Sequence, residues 1–148
     1  MLARRAEQLA LQAMFYLASV PPGDARTSQE IAETLGVPRG YLAKVLQSLT
    51  RTGLLRAARG PSGGVYLARP AEDITLYDVL LALEPAGSFD QCLLGLGHCN
   101  DQEPCALHTA WLPIRAQILE LAKCNSLQEF AGHGRREELL EGRARKGA

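Results

Sequence analysis

Two amphipathic segments joined by a tight turn constrain the fold of this chain more than any other feature. Thr27 stands where an N-cap would, with Glu30 three residues later, and this capping box predicts a helix over residues 28–35. Gly36 is placed to cap its C-terminus, and a second helix is predicted over about residues 38–52, opened by a proline. The predicted inward face of this second helix consists of Leu42, Val45, Leu46 and Leu49. Two helices joined by a short turn containing Gly form the helix-turn-helix pattern.

A small wing is predicted directly after the second helix. Short strand candidates at residues 54–58 and 65–67 flank a Gly- and Pro-rich loop, which indicates a β-hairpin and, with the preceding helices, a winged helix. Arg59 stands at the base of this loop, whose small side chains would let it lie against a phosphate backbone or in a minor groove. An ordinary hairpin turn is the alternative explanation of the glycines. The residues predicted to contact DNA are Arg39, Lys44 and Gln47 on the helix and Arg59, Gly60, Ser62 and Gly63 in the wing.

The formal net charge of zero hides a polarity along the chain. Residues 1–72 carry nine Lys and Arg against five Asp and Glu, whereas residues 73–133 carry two against eight. A basic first half favours DNA binding, and clustering by chance is the alternative. No apolar run approaches the roughly 20 residues that a membrane span needs, and no signal peptide is recognisable, so we expect a cytoplasmic protein without a membrane partner. The sequence has no nucleophile–base arrangement, phosphate loop or acid pair, and we do not expect an enzyme.

Most of the remaining chain is predicted to be helical. Amphipathic helices are predicted over residues 4–19 and 73–83, and a longer helix over about residues 109–123. The longer helix should begin just before Pro113, because proline is tolerated only in a first turn. Its apolar stripe is too long for one small domain to cover, which predicts a homodimer. The expected dimer contacts are Trp111, Ile114, Ile118 and Leu121. Cys124, near its end, is predicted to be a small core residue.

These elements predict a fold that is mainly α with a small β wing. A winged-helix DNA-binding domain is expected at residues 1–84 and a cysteine loop at residues 85–107. A dimerisation helix region at residues 108–131 and a flexible tail at residues 132–148 complete the predicted organisation.

Three cysteines lie close together in the predicted loop. Cys92, Cys99 and Cys105 fall within fourteen residues, and His108 follows three positions after the last. The segment is rich in Gly and poor in β-branched and aromatic residues, so it cannot pack a core of its own. Crowded thiolates bind each other or a metal, and soft sulfur ligands select iron–sulfur clusters or zinc. Zinc is the second choice because its structural sites usually pair ligands as CxxC, and a metal-free thiol redox switch is a further alternative.

Three segments of the chain carry a resemblance to a known family. They are ALQAMFYLA near the N-terminus, the helix GYLAKVLQSL with the wing that follows it, and the spaced cysteines. Together they resemble the Rrf2 family of bacterial winged-helix regulators over about residues 1–130. The cysteine triplet is similar to that of the iron–sulfur branch, of the IscR and NsrR type. The resemblance implies a homodimer whose interface is the long helix after the cysteine loop.

The resemblance also implies a cofactor and its ligands. Cys92, Cys99 and Cys105 would bind an iron–sulfur cluster. The fourth ligand would be His108, as in members that resemble this chain in having a histidine three residues after the last cysteine, and this pattern favours [2Fe–2S]. Other members use an acidic residue near the N-terminus and hold [4Fe–4S], which stays possible; here Glu7 is one position out of step.

The resulting hypothesis is a DNA-binding transcriptional regulator, expected to be a repressor, that binds a palindromic operator in double-stranded DNA. An iron–sulfur cluster would control operator affinity in response to cluster supply, nitric oxide or redox state. Because small or apolar residues stand where well-known members carry polar ones, base contacts would fall to Arg39, Lys44 and Gln47. The alternatives are a winged-helix regulator with a metal-free thiol switch or a zinc ion, and a winged helix that binds a protein partner.

Overall fold

The structure, a computed structural model, describes residues 5–61, 63–83 and 91–131. It is mainly helical with one small antiparallel sheet, as predicted. The helices are α1 Arg5–Ala18, α2 Ser28–Leu35, α3 Arg39–Arg51, α4 Leu76–Leu81, α5 His108–Cys124 and α6 Leu127–Ala131, the strands are β1 Leu55–Ala58 and β2 Gly64–Leu67, and a 3-10 turn spans Ala71–Asp73. The predicted tail at 132–148 and the first residues of the predicted cysteine loop lie outside the described residues, as does Ser62.

Local capping sets the ends of α2. The Thr27 side chain accepts a hydrogen bond from the Glu30 backbone N–H at 3.2 Å, and the Thr27 N–H donates to the Glu30 carboxylate at 2.7 Å. Gly36 ends the helix in the left-handed region, with φ of 61°, which a residue with a side chain rarely adopts. The predicted capping box and C-cap are therefore confirmed, and α3 begins three residues after Gly36.

The core forms around α1, which contacts α2, α3, α4, α6 and β2. Its residues repeat at helical spacing, so one face is apolar and buried. That buried face consists of Leu9, Ala10, Ala13, Met14 and Leu17. The four predicted inward residues of α3 are all buried against the same core, which fixes the direction in which the opposite face of α3 points.

The wing is a hairpin of β1 and β2 with Leu55 opposite Leu67 and Ala58 opposite Gly64. Arg26 pairs with β2 as an isolated β-bridge, because its backbone exchanges two hydrogen bonds with Val65 at 2.9 and 2.8 Å. A Cβ at Gly64 would overlap the Arg26 carbonyl, so glycine is needed for this close approach. The wing is thereby attached to the segment that leads into α2.

The C-terminal helices dock on α4 through backbone pairing. Leu76 N–H donates to the Asn125 carbonyl at 3.1 Å, and Leu127 N–H donates to the Ile74 carbonyl at 2.8 Å. These two hydrogen bonds tie the α5–α6 connection to the start of α4. No helix in the described ranges is long and apolar enough to cross a membrane.

Two predictions for α5 were wrong. The helix starts at His108, so Pro113 lies beyond its first turn and not within it. Cys124 is exposed and not part of the core, because Ala122 is the residue near this end that faces inward. Both errors come from the docking of the helix, which residue pattern alone does not specify.

The α2 cap provides a test of local stability. We expect Thr27→Ala to lower the free energy of unfolding by about 1 kcal/mol at neutral pH, because the Glu30 N–H loses its acceptor. Urea unfolding of wild type and variant, followed by circular dichroism, measures this difference in the free energy of unfolding.

The pH dependence of the stability that the α2 cap contributes follows from Glu30. The Thr27 backbone N–H, and then its hydroxyl, hold the pKa of Glu30 below its ordinary value. A lowered folded pKa means that the contribution of Glu30 is present above the ordinary pKa and is lost as the pH falls through the lowered one. Glu30→Gln, which keeps an acceptor but cannot titrate, should remove this loss. An unchanged acid dependence in Glu30→Gln would contradict the assignment.

Candidate DNA-binding surface and thiol–histidine pocket

The outward face of α3 carries the three helix residues predicted to contact DNA. Arg39, Lys44 and Gln47 are all exposed, on the side of the helix opposite its buried leucines. Gly40 and Ala43 lie between them and are also exposed, so this stretch of the helix has little side-chain bulk. A surface of this kind can approach another molecule closely while its long polar side chains reach farther.

One contact and one groove define how this face lies relative to the rest of the domain. Arg39 Nε donates to Ser28 Oγ at 3.3 Å, which joins the N-terminal ends of α3 and α2. An open groove of about 580 Å³ separates α3 from the base of the wing. Its lining includes Ser28, Ala43, Gln47, Arg51, Gly64 and Val65. The recognition face and the wing therefore border one continuous concave surface.

The wing loop is compact. Arg59 and Gly60 are exposed, Gly60 has φ of 108°, and the Gly63 N–H donates to the Gly60 carbonyl at 2.9 Å. A Cβ at Gly63 would come within 2.8 Å of that carbonyl, so the turn requires glycine for its own geometry. The alternative explanation of these glycines as an ordinary turn thus accounts for Gly63, whereas the exposure of Arg59 leaves its side chain available to a partner.

The four predicted metal ligands line one pocket. Its volume is about 340 Å³, and it lies between the cysteine loop and the start of α5. The lining residues are Cys92, Leu96, His98, Cys99, Glu103, Pro104, Cys105 and His108. Cys92 and His108, which are sixteen positions apart in the sequence, therefore line the same pocket.

The ligands in the pocket are arranged as two pairs. Cys92 Sγ lies 3.5 Å from Cys105 Sγ, and Cys99 Sγ lies 3.2 Å from His108 Nδ1. All these cysteines are free thiols. Among the described residues, no three His, Cys, Asp or Glu side chains converge as the ligands of a single metal ion would.

The backbone folds tightly around Cys92. Its N–H donates to the Gly97 carbonyl at 2.8 Å, and its carbonyl accepts from the Gly95 N–H at 2.9 Å. The backbone N–H of Leu94, helped by the neighbouring Cys105 side chain, lowers the pKa of the Cys92 thiol, while burial acts in the opposite direction. The turn therefore favours the thiolate, which is the form that binds metals.

One group beside the pocket, the Asp101 carboxylate, carries no signal in the residue pattern. His108 Nε2 lies 2.9 Å from Asp101 Oδ1. Asn100 Oδ1 accepts from the backbone N–H groups of Gln102 and Glu103, both at 2.9 Å, and so forms the turn that carries Asp101. An Asn in a loop signals such a turn, but nothing in the residue pattern signals the contact with His108.

Glu7, the alternative fourth ligand, and Cys124, the remaining cysteine, both lie away from the pocket. Glu7 lies on the buried face of α1 and does not line it. Cys124 is sixteen residues beyond His108 on the same helix, about 24 Å along its axis at 1.5 Å per residue.

The predicted dimer contacts on α5 lie on one face of the helix at helical spacing, but they differ in exposure. Ile114, Ile118 and Leu121 are 49%, 37% and 56% exposed and form one stripe. Trp111 is only 8% exposed and faces inward, and its indole Nε1 has no hydrogen-bond acceptor within the described part of the chain. Trp111 thus packs mainly within its own chain, and its contact with a second subunit stays a prediction.

The matching family model covers both the α3–wing surface and the thiol–histidine pocket. Residues 4–133 match the family model Rrf2, described as an iron-dependent transcriptional regulator. A protein of Aquifex aeolicus (strain VF5), named as an HTH-type transcriptional regulator, is 31% identical over 104 residues, which are 69% of this chain and 72% of that protein. These relatives are regulators and not enzymes, in agreement with the expectation from the sequence.

Solved structures with the same fold include two kinds of regulator. CymR (YrzC), the global cysteine regulator of B. subtilis, is 23% identical with a TM-score of 0.77, over 90% of this chain and 98% of that one. IscR of T. potens is 24% identical with a TM-score of 0.71, over 88% and 85%. The oxidized form of Staphylococcus aureus CymR is 25% identical with a TM-score of 0.72, over 90% and 98%. The likenesses to B. subtilis CymR and T. potens IscR, both below 25% identity, establish the fold alone.

Proposed function

The chain belongs to the Rrf2 family of iron-dependent transcriptional regulators, and from this premise we propose that it binds operator DNA as a homodimer under the control of an iron–sulfur cluster. The ligands would be Cys92, Cys99, Cys105 and His108. The observation that carries the proposal is the meeting of these four side chains in one pocket of about 340 Å³.

The spacing within the two pairs supports a cluster of two irons. Two thiolates on one tetrahedral metal, with bonds of about 2.3 Å, lie about 3.7 Å apart. The 3.5 Å between Cys92 Sγ and Cys105 Sγ and the 3.2 Å between Cys99 Sγ and His108 Nδ1 are close to this separation. Each pair would therefore serve one iron, as [2Fe–2S] requires. A [4Fe–4S] cluster would need four ligands spread over separate irons.

The chemistry of the pocket suits this group. Thiolate sulfur selects iron–sulfur clusters, and the Leu94 N–H favours the thiolate at Cys92. When bound, the cluster would supply a centre that reacts with oxidants or nitric oxide. The turn around Cys92 would hold the loop in place around the cluster through its backbone hydrogen bonds, since Leu93, Leu94 and Leu96 are exposed and contribute no core.

A continuous line of packing supports coupling between the pocket and α3. His108 begins α5, whose far end is hydrogen-bonded to the start of α4, and α4 packs on α1. Helix α1 in turn packs on α3. A change in the loop that moves α5 could therefore reach the recognition face, with a coupling free energy of roughly 1–3 kcal/mol.

For DNA binding, Arg39, Lys44 and Gln47 would face the major groove and Arg59 would reach the backbone or the minor groove from the wing. A two-fold dimer would select a palindromic site with half-sites about 34 Å apart, or a multiple of that distance. The basic character of residues 1–72 and the continuous concave surface between α3 and the wing support this arrangement.

A metal-free thiol switch is the second candidate. Cys92 Sγ and Cys105 Sγ are 3.5 Å apart, and a move of about 1.5 Å would give the disulfide bond length. Each thiol would lose a proton and the pair two electrons, to an oxidant such as hydrogen peroxide. The likeness to the oxidized form of Staphylococcus aureus CymR favours this candidate.

Anaerobic reconstitution with iron and sulfide separates the two candidates. We expect a coloured protein with bound iron and sulfide, and we expect Cys92→Ala, Cys99→Ala and Cys105→Ala to remove the colour because each deletes a ligand. Visible absorbance with iron and sulfide analysis is the measurement. Cys124→Ala is the matched control and should keep the colour, since this thiol is exposed and distant. A colourless wild type would reject the cluster and favour the thiol switch or zinc.

The wing is tested by salt titration of DNA binding. Each phosphate-bound cation contributes about −0.9 to the slope of log affinity against log salt. If Arg59 binds phosphate, Arg59→Ala should weaken binding to operator and random duplex alike and reduce the slope by about 1 per subunit. If it enters a groove, the loss should concentrate on the operator, at about 1–3 kcal/mol per contact. Lys123→Ala, which removes a cation from α5, should change neither the affinity for either duplex nor the salt slope. Equal affinity of wild type and Arg59→Ala on both duplexes would exclude the wing from the interface.

The dimer is tested on the exposed stripe of α5. Ile118→Glu should shift the protein toward the monomer in analytical ultracentrifugation, because it places a charge in the proposed apolar interface. Ala116→Glu is the control: it is also exposed, but at 100° per residue it lies about 200° around the helix from Ile114. Undiminished dimer in Ile118→Glu would mean that this stripe is not the interface.

A further inference from the structure

His108 is buried with both ring nitrogens engaged. The residue is only 7% exposed. Nδ1 faces Cys99 Sγ at 3.2 Å on the pocket side, and Nε2 lies 2.9 Å from Asp101 Oδ1 on the other side. The Asp101 side chain itself is 91% exposed and reaches inward with one oxygen.

The hydrogen-bond partner decides which nitrogen carries the proton. An ionised carboxylate can only accept, so the proton of the neutral imidazole belongs on Nε2. Nδ1 then keeps its lone pair, and Nδ1 is the nitrogen that faces Cys99 and the pocket. An imidazole binds metal through its unprotonated nitrogen, with the tautomer set by what the other nitrogen contacts.

From this geometry we propose that Asp101 is a positioning residue for the cluster: it holds His108 in the Nε2–H tautomer and so presents Nδ1 as the fourth ligand atom. The inference deepens the proposed function and rests on it. A carboxylate that accepts from a ligating histidine also makes that ligand more basic, and loss of such a partner typically weakens metal binding about 10- to 100-fold.

The loop is built to keep Asp101 in this place. Asn100 Oδ1 accepts two backbone hydrogen bonds from the residues that follow Asp101, and Asn100 Nδ2 donates to the His98 carbonyl at 3.4 Å. The backbone on both sides of Asp101 is therefore fixed within the loop. This explains how an exposed side chain can still have a defined partner.

Three variants separate the hydrogen bond from the charge. Asp101→Ala removes both, and Asp101→Asn keeps an acceptor oxygen without the charge. Glu103→Gln is the matched control: it removes the same charge from the same pocket, and no hydrogen bond between Glu103 and His108 exists in the described structure. In the first measurement, the ¹⁵N shifts of the His108 ring are read in reduced, cluster-free protein at a pH where the imidazole is neutral.

In this measurement we expect the wild type and Glu103→Gln to show one Nε2–H tautomer, and Asp101→Asn to show it less completely, because an amide can also donate to Nε2. Asp101→Ala should show a mixture, because the proton can then also occupy the nitrogen that faces Cys99. The second measurement follows the loss of iron to a chelator from protein reconstituted anaerobically with iron and sulfide. We expect about 10- to 100-fold weaker retention for Asp101→Ala, a smaller loss for Asp101→Asn and wild-type retention for Glu103→Gln.

The outcomes distinguish this inference from the function on which it rests. A wild-type tautomer in Asp101→Ala, or equal iron retention in Asp101→Ala and Glu103→Gln, overturns the role of Asp101. A wild type that takes up no cluster refutes the proposed function instead, and the ring shifts of the cluster-free protein then still decide whether Asp101 sets the tautomer.

Discussion

Burial of the apolar face of α1 is the interaction on which the rest of the structure depends. This single helix contacts elements from both ends of the chain, namely α2 and α3 on one side and α4 and α6 on the other. Its central residues Ala10, Ala13 and Met14 are completely buried. Small alanines allow neighbouring helices to approach closely, and the larger side chains fill the space between them. The position of the recognition helix and the position of α5 are thus both defined relative to one rigid element.

The DNA-binding surface and the pocket are stabilised in different ways. The surface stands on a packed core, and the wing is attached to it by the backbone pairing of Arg26 with Val65. The pocket has little apolar support, since Leu93 and Leu94 are exposed and Leu96, which lines the pocket, is 71% exposed. Turns and backbone hydrogen bonds hold its shape. A loop of this kind gains stability when a metal or a cluster joins its ligands, because ligand binding then contributes to folding. In the proposed function, this difference suits the pocket to sensing and the α3–wing surface to DNA binding.

Helix α5 connects the two regions. One end provides His108 to the pocket, and the other is tied to α4 by the hydrogen bond between Leu76 and Asn125. Most of its length is exposed, with an apolar stripe at Ile114, Ile118 and Leu121. A helix that contacts the pocket and the core and exposes this stripe is well placed to transmit a structural change between the pocket, the core and the proposed dimer interface.

The sequence alone determined what depends on near neighbours in the chain. The capping box at Thr27, the left-handed Gly36 and the inward leucines of α3 follow from local hydrogen bonding and helical period, and the structure confirms them. The spacing of the cysteines likewise singled out the residues that line the pocket.

Tertiary structure decided the features that depend on how elements dock. The inward side of α5 includes Trp111 and Ala122 but not Cys124, because packing against α4 sets the rotation of that helix. The pairing of Cys92 with Cys105 and of Cys99 with His108 follows from the turn at residues 92–97, which reverses the chain. The contact of Asp101 with His108 spans seven residues across a loop. A loop without a repeating pattern has no period from which such contacts could be inferred, so only the folded chain brings these groups together.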